Sequence, residues 1–68
     1  MTNTTYEQSE ALRQAIAEAI SKGVYSPNGI NAYLLENGWK YPMPSRPTVE
    51  KILAKNKVSF VEGYWTKS

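Results

Sequence analysis

Apolar residues recur at helical spacing in three stretches of this 68-residue chain, and two short runs dense in β-branched and aromatic residues follow them. Leu12, Ala15, Ile16, Ala19 and Ile20 make the first stripe, which predicts a helix from about Tyr6 to Lys22. Thr5, with Gln8 three residues on, has the form of a capping box. Glu7 and Glu10 near the start and Lys22 near the end suit the helix dipole. Gly23 is the expected left-handed stop, with Val24 folding back on the last turn.

Ser26-Pro27 predicts a second start, Ser as cap and Pro at the first helical position with its φ already set. Ile30, Tyr33 and Leu34 share the buried face, and Gly38 ends the helix with Trp39 as its apolar partner. Gly29 should weaken this helix by up to about 1 kcal/mol relative to Ala. Trp39 to Pro44 is aromatic- and proline-rich, hence a stiff, packed connection.

In the third stretch Ser45 is the expected cap, its hydroxyl accepting a first-turn N–H, and Pro47 is tolerated where N–H groups lack helical partners. Val49, Ile52 and Leu53 face inward, while Arg46, Thr48, Glu50, Lys51 and Lys55 fall elsewhere around the axis. Asn56 is expected to close the helix in a left-handed conformation. Val58–Val61 and Tyr64–Lys67, separated by Glu62-Gly63, predict a hairpin in which Phe60 faces Trp65. A two-stranded ribbon is marginal alone, so it must lean on the helices, through Phe60 or Trp65. The fold class expected is α+β, mostly α: one domain over 1–68, with residues 1–4 frayed.

Charge adds a direction to this picture. Residues 1–36 carry Arg13 and Lys22 against Glu7, Glu10, Glu18 and Glu36, a net of −2, whereas residues 37–68 carry six cations against Glu50 and Glu62, a net of +4. A basic half on a near-neutral chain points to a directed field and an anionic partner. The chain has no Cys, no His and no Asp, which removes disulfides, thiolate nucleophiles, histidine bases and the usual zinc sites, so neither an enzyme nor a metal or cofactor is expected. No apolar run approaches a membrane span and no signal peptide is recognisable, so a cytoplasmic setting is expected.

Three helices followed by a hairpin are similar to a winged helix-turn-helix domain, with residues 26–56 as the two-helix unit and 57–68 as the wing. Ser45-Arg46-Pro47-Thr48-Val49-Glu50-Lys51-Ile52-Leu53 resembles the start of recognition helices in several regulator and transposase families, and small phage- or plasmid-encoded regulators share this size and content. One departure is the connection from Gly38 to Pro44, longer than the usual turn of ~3–4 residues. The resemblance implies sequence-specific binding of double-stranded DNA by a transcriptional regulator or recombination accessory factor, acting as a homodimer or cooperatively. On that basis Arg46 reaches base edges or phosphate, Thr48 and Ser45 add hydroxyl contacts, and Lys51, Lys55 and Lys57 neutralise phosphates. Lys67 does so from the wing, and Asn28 from the start of the second helix.

All of this expects Arg46 and Lys51 on one exposed flank. Trp65 is expected to be core, while Trp39, Tyr41 and Met43 fit either the floor of a thin core or a protein-binding patch. The competing class is therefore a protein-interaction module, such as a small phage-encoded inhibitor that uses the winged fold without touching DNA.

Overall fold

The computed structural model describes residues 4–68, which form α1 (Thr4–Ser21), α2 (Pro27–Glu36), α3 (Arg46–Lys55), β1 (Val58–Val61) and β2 (Tyr64–Lys67). The two strands pair antiparallel, so the chain has the mostly helical α+β class expected. α1 already includes Thr4 and Thr5, ahead of the expected start at Tyr6; the Thr5 side chain of the expected capping box, like residues 1–3, lies outside the described part.

Local chemistry explains the helix boundaries. Gly23 sits at φ +87°, its N–H donating to Ile20 O and that of Val24 to Ala19 O, which caps the last carbonyls of α1. Gly38 repeats the device at φ +74°, with Trp39 N–H donating to Leu34 O. Ser26 caps α2 as expected, its Oγ accepting from Gly29 N at 3.0 Å.

At α3 two expectations fail. Ser45 holds the cap position but accepts no backbone N–H; its Oγ lies 2.9 Å from Thr48 Oγ1, so the two hydroxyls pair with each other. Asn56 is not left-handed (φ −99°); its side-chain amide donates to Ile52 O instead, and Lys57 takes the positive φ of +65°. Asn56 is the C-cap, so the left-handed residue is the one after it, Lys57, whose N–H donates to Ala54 O, just as Gly38 follows Asn37 at the end of α2.

The core gathers Leu12, Ile16, Ala19 and Ile20 from α1, Ile30 and Leu34 from α2, Val49, Ile52 and Leu53 from α3, and Val58 from β1. The three helices pack pairwise, and β1 joins them through α3. Tyr33 of α2 reaches Glu18 of α1; desolvation first, then that hydrogen bond, raises its hydroxyl pKa above the usual value.

The hairpin register is Phe60↔Trp65, as the two-residue loop requires, with ring centroids 5.2 Å apart. Glu62 (φ +51°) and Gly63 (φ +85°) give the paired positive φ of a type I′ turn. The side chain that anchors the ribbon is Val58, 1% exposed, with Trp65 half-buried beside the core; Phe60 is 58% exposed and does not serve as the anchor. Val58 and Phe60 share a strand face, but Phe60 lies two residues nearer the tip and beyond the helices' cover.

Gly29 has a role that propensity does not suggest. A Cβ there would lie 3.0 Å from both Ser26 Oγ and Val24 Cγ1, so an added methyl presses on the hydroxyl that caps the helix. Gly29→Ala is expected to lower the melting temperature, although Ala is favoured over Gly by about 1 kcal/mol in a helix interior. A thermal melt followed by circular dichroism checks this; a raised melting temperature would show that Ser26 and Val24 yield without cost.

Candidate nucleic-acid interface

The outward side of α3 divides into two flanks. Val49, Ile52 and Leu53 point to the core, which leaves the remaining positions to solvent or to neighbouring helices. On one flank Arg46 Nε donates to Glu50 Oε2 at 2.8 Å, both side chains largely exposed. Such a pair one helical turn apart contributes only about 0.3–0.5 kcal/mol, but it offsets the arginine charge locally. On the other flank Thr48, Lys51, Ile52 and Lys55 line a cleft against Ser9, Leu12 and Arg13 of α1. This cleft, of about 160 Å³, is smaller than the ~300–1,000 Å³ typical of small-molecule pockets. It is continued at one end by the groove between α1 and Pro42-Met43-Pro44, and at the other by a groove beside Arg13, Gln14, Ala17, Lys55 and Asn56.

The structure therefore brings Thr48, Lys51 and Lys55 together and sets Arg46 apart from them. Five residues separate Arg46 from Lys51, which at 3.6 residues per turn places them about 140° apart around the axis. The single cationic flank expected to hold both is corrected accordingly. Lys57 stands at the left-handed junction between α3 and β1, and Lys67 is exposed near the end of β2, opposite Val58. Asn28 is exposed in the first turn of α2. None of these three lines the clefts beside α3. Ser45 is exposed but paired with Thr48, so a ligand seeking either hydroxyl meets both.

The aromatic connection is internally organised. Trp39 packs half-buried on the core, meets Tyr41 edge-on at 5.1 Å, and donates its indole N–H to Pro42 O. Lys40 lies 5.8 Å from the Tyr41 ring centroid, within cation–π range. Met43, in the same connection, is exposed, and a larger group of exposed apolar side chains, Phe60, Val61 and Tyr64, stands at the hairpin tip.

Arg13 and Ser9 are the site residues that sequence pattern did not single out. Arg13 directly follows the core residue Leu12, so it lies at the margin of the buried stripe of α1; what the pattern lacks is which helix lies alongside that margin. Among the described residues no group of three or more His, Cys, Asp or Glu side chains gathers to hold a metal ion, and no helix is long and apolar enough to cross a membrane. Comparison with protein-family models, curated proteins and solved structures found no match to this chain.

Proposed function

We propose that this chain is a winged helix-turn-helix domain that binds double-stranded DNA through α3 and the hairpin. The observation that carries this is the gathering of Thr48, Lys51 and Lys55 on one open flank of the third helix, in a three-helix-plus-hairpin architecture whose second half is the basic one. Lys51 and Lys55, one turn apart, are spaced to neutralise phosphates along one strand, and the Ser45–Thr48 hydroxyl pair supplies a donor or acceptor beside them. Lys57 and Lys67 extend positive charge toward the hairpin.

A single module of this size covers only about 600–1,000 Å² of protein surface on DNA, so a regulator or recombination accessory factor built from it works as a homodimer or cooperatively on paired sites. Such a role places it in the cytoplasm. Fluorescence anisotropy on a labelled duplex, titrated with salt, tests the proposal. The expected result is binding that weakens linearly in log–log form as salt rises; no binding at low salt rejects it.

Lys57 gives a way to separate fold from binding. Its φ of +65° is one that a side chain adopts at a cost of about 1 kcal/mol and glycine adopts freely. Lys57→Gly is expected to hold or raise the melting temperature while weakening duplex binding. A lower melting temperature with unchanged binding would make the lysine a structural residue only.

The exposed apolar tip formed by Phe60, Val61 and Tyr64 favours a second reading, a protein-interaction module. A protein partner retained after nuclease treatment, with no duplex binding by the purified chain, would decide for it.

A further inference from the structure

The groove beside α3 has two walls, and the second is cationic too. Arg13 of α1 lines the same cleft as Lys51 and Lys55 and the groove that continues past Lys55, so three positive side chains from two helices border one trough. The trough floor is apolar, formed by Leu12 and Ile52, and Ser9 and Thr48 add a hydroxyl from each wall. Nothing in the net charge of the first half suggests this, since residues 1–36 sum to −2.

We infer that α1 is a second phosphate-binding element and that Arg13 contacts the DNA backbone across the trough from Lys51 and Lys55. This inference rests on the DNA-binding proposal and extends its contact surface from one helix to two. Arg13 is ion-paired to Glu10 through one terminal nitrogen. A guanidinium has five N–H donors, so that pair occupies part of the fork and leaves the rest for a phosphate oxygen. The carboxylate also orients the group, because Glu10 lies one turn back on the same helix. A sugar–phosphate strand running along the trough meets charge on both sides, which fixes how α3 is set against the duplex. Contacts of this kind position a domain without reading sequence.

The test compares Arg13→Ala, Arg13→Lys and Glu10→Gln with the parent chain in salt-titrated duplex binding, on a preferred and a random sequence. Arg13→Ala is expected to weaken both duplexes alike and to reduce the salt slope by about 0.9. Arg13→Lys should restore the slope. Glu10→Gln breaks the same ion pair but keeps the cation, so it should bind as tightly as the parent or tighter. If Glu10→Gln reproduces the loss seen in Arg13→Ala, the arginine acts only through its helix pair and the inference is overturned. It is likewise overturned if the parent binds and Arg13→Ala leaves the slope unchanged. A parent chain that binds no duplex instead removes the DNA-binding proposal itself, a separate outcome.

Discussion

Leu34→Ala is expected to remove most of the chain's stability at 25 °C, while Leu35→Ala next to it changes stability by no more than about 0.5 kcal/mol. The two leucines share a helix, a side chain and a helix propensity. Leu34 is 2% exposed and sits in the core with Ile30, Leu53 and Ile16, whereas Leu35 is 66% exposed. The difference is about 100° of helical rotation. Truncating a buried leucine costs about 2–5 kcal/mol, the forfeited transfer energy plus the cavity left behind. A domain this short holds only about 3–5 kcal/mol in total, so the first substitution removes most or all of it. Urea denaturation of both variants by circular dichroism checks the pair. Equal midpoints would mean that α2 is rotated from the orientation described.

The second large effect concerns binding. Lys51→Ala with Lys55→Ala is expected to reduce the salt slope of duplex binding by about 1.8, at about 0.9 for each phosphate no longer neutralised, with the fold intact because both side chains are exposed. Arg46→Ala should weaken binding less than the lysine pair does. Arg46 stands on the other flank of α3, away from the cleft that Lys51 and Lys55 line, and Glu50 offsets its charge locally. Anisotropy titrations of the three variants, beside their melting curves, supply the comparison. A double lysine variant that binds like the parent would take α3 out of the interface. An Arg46 effect larger than the lysine effect would move the interface to the Glu50 flank.

The elements were legible because their signals are local. Ser26-Pro27 starts α2, and Gly23 and Gly38 end helices at positive φ, since each needs only a few neighbouring residues to act. The Phe60↔Trp65 pairing follows from a two-residue loop by counting. Misreadings arose where two local solutions compete. Ser45 paired with the Thr48 hydroxyl rather than a backbone N–H, and Asn56 became the C-cap, which put the left-handed turn at Lys57. Trp39 was ambiguous in sequence because an amphipathic ring suits core and surface alike; it packs on the core and holds Tyr41 and Pro42 around it.

Hydrophobic spacing determined three helices and their inward faces, because burial acts on every third or fourth residue of a helix and that period is visible in one dimension; the β-branched and aromatic runs around Glu62-Gly63 determined a hairpin, but not that Val58 would anchor it. Which helix flank borders which neighbour was decided only in three dimensions. Arg13 lies far from Lys51 along the chain and joins it solely because α1 packs beside α3; the separation of Arg46 from Lys51, by contrast, follows from their five-residue spacing on one helix. Charge has no period to announce such meetings; packing the apolar faces brings them about.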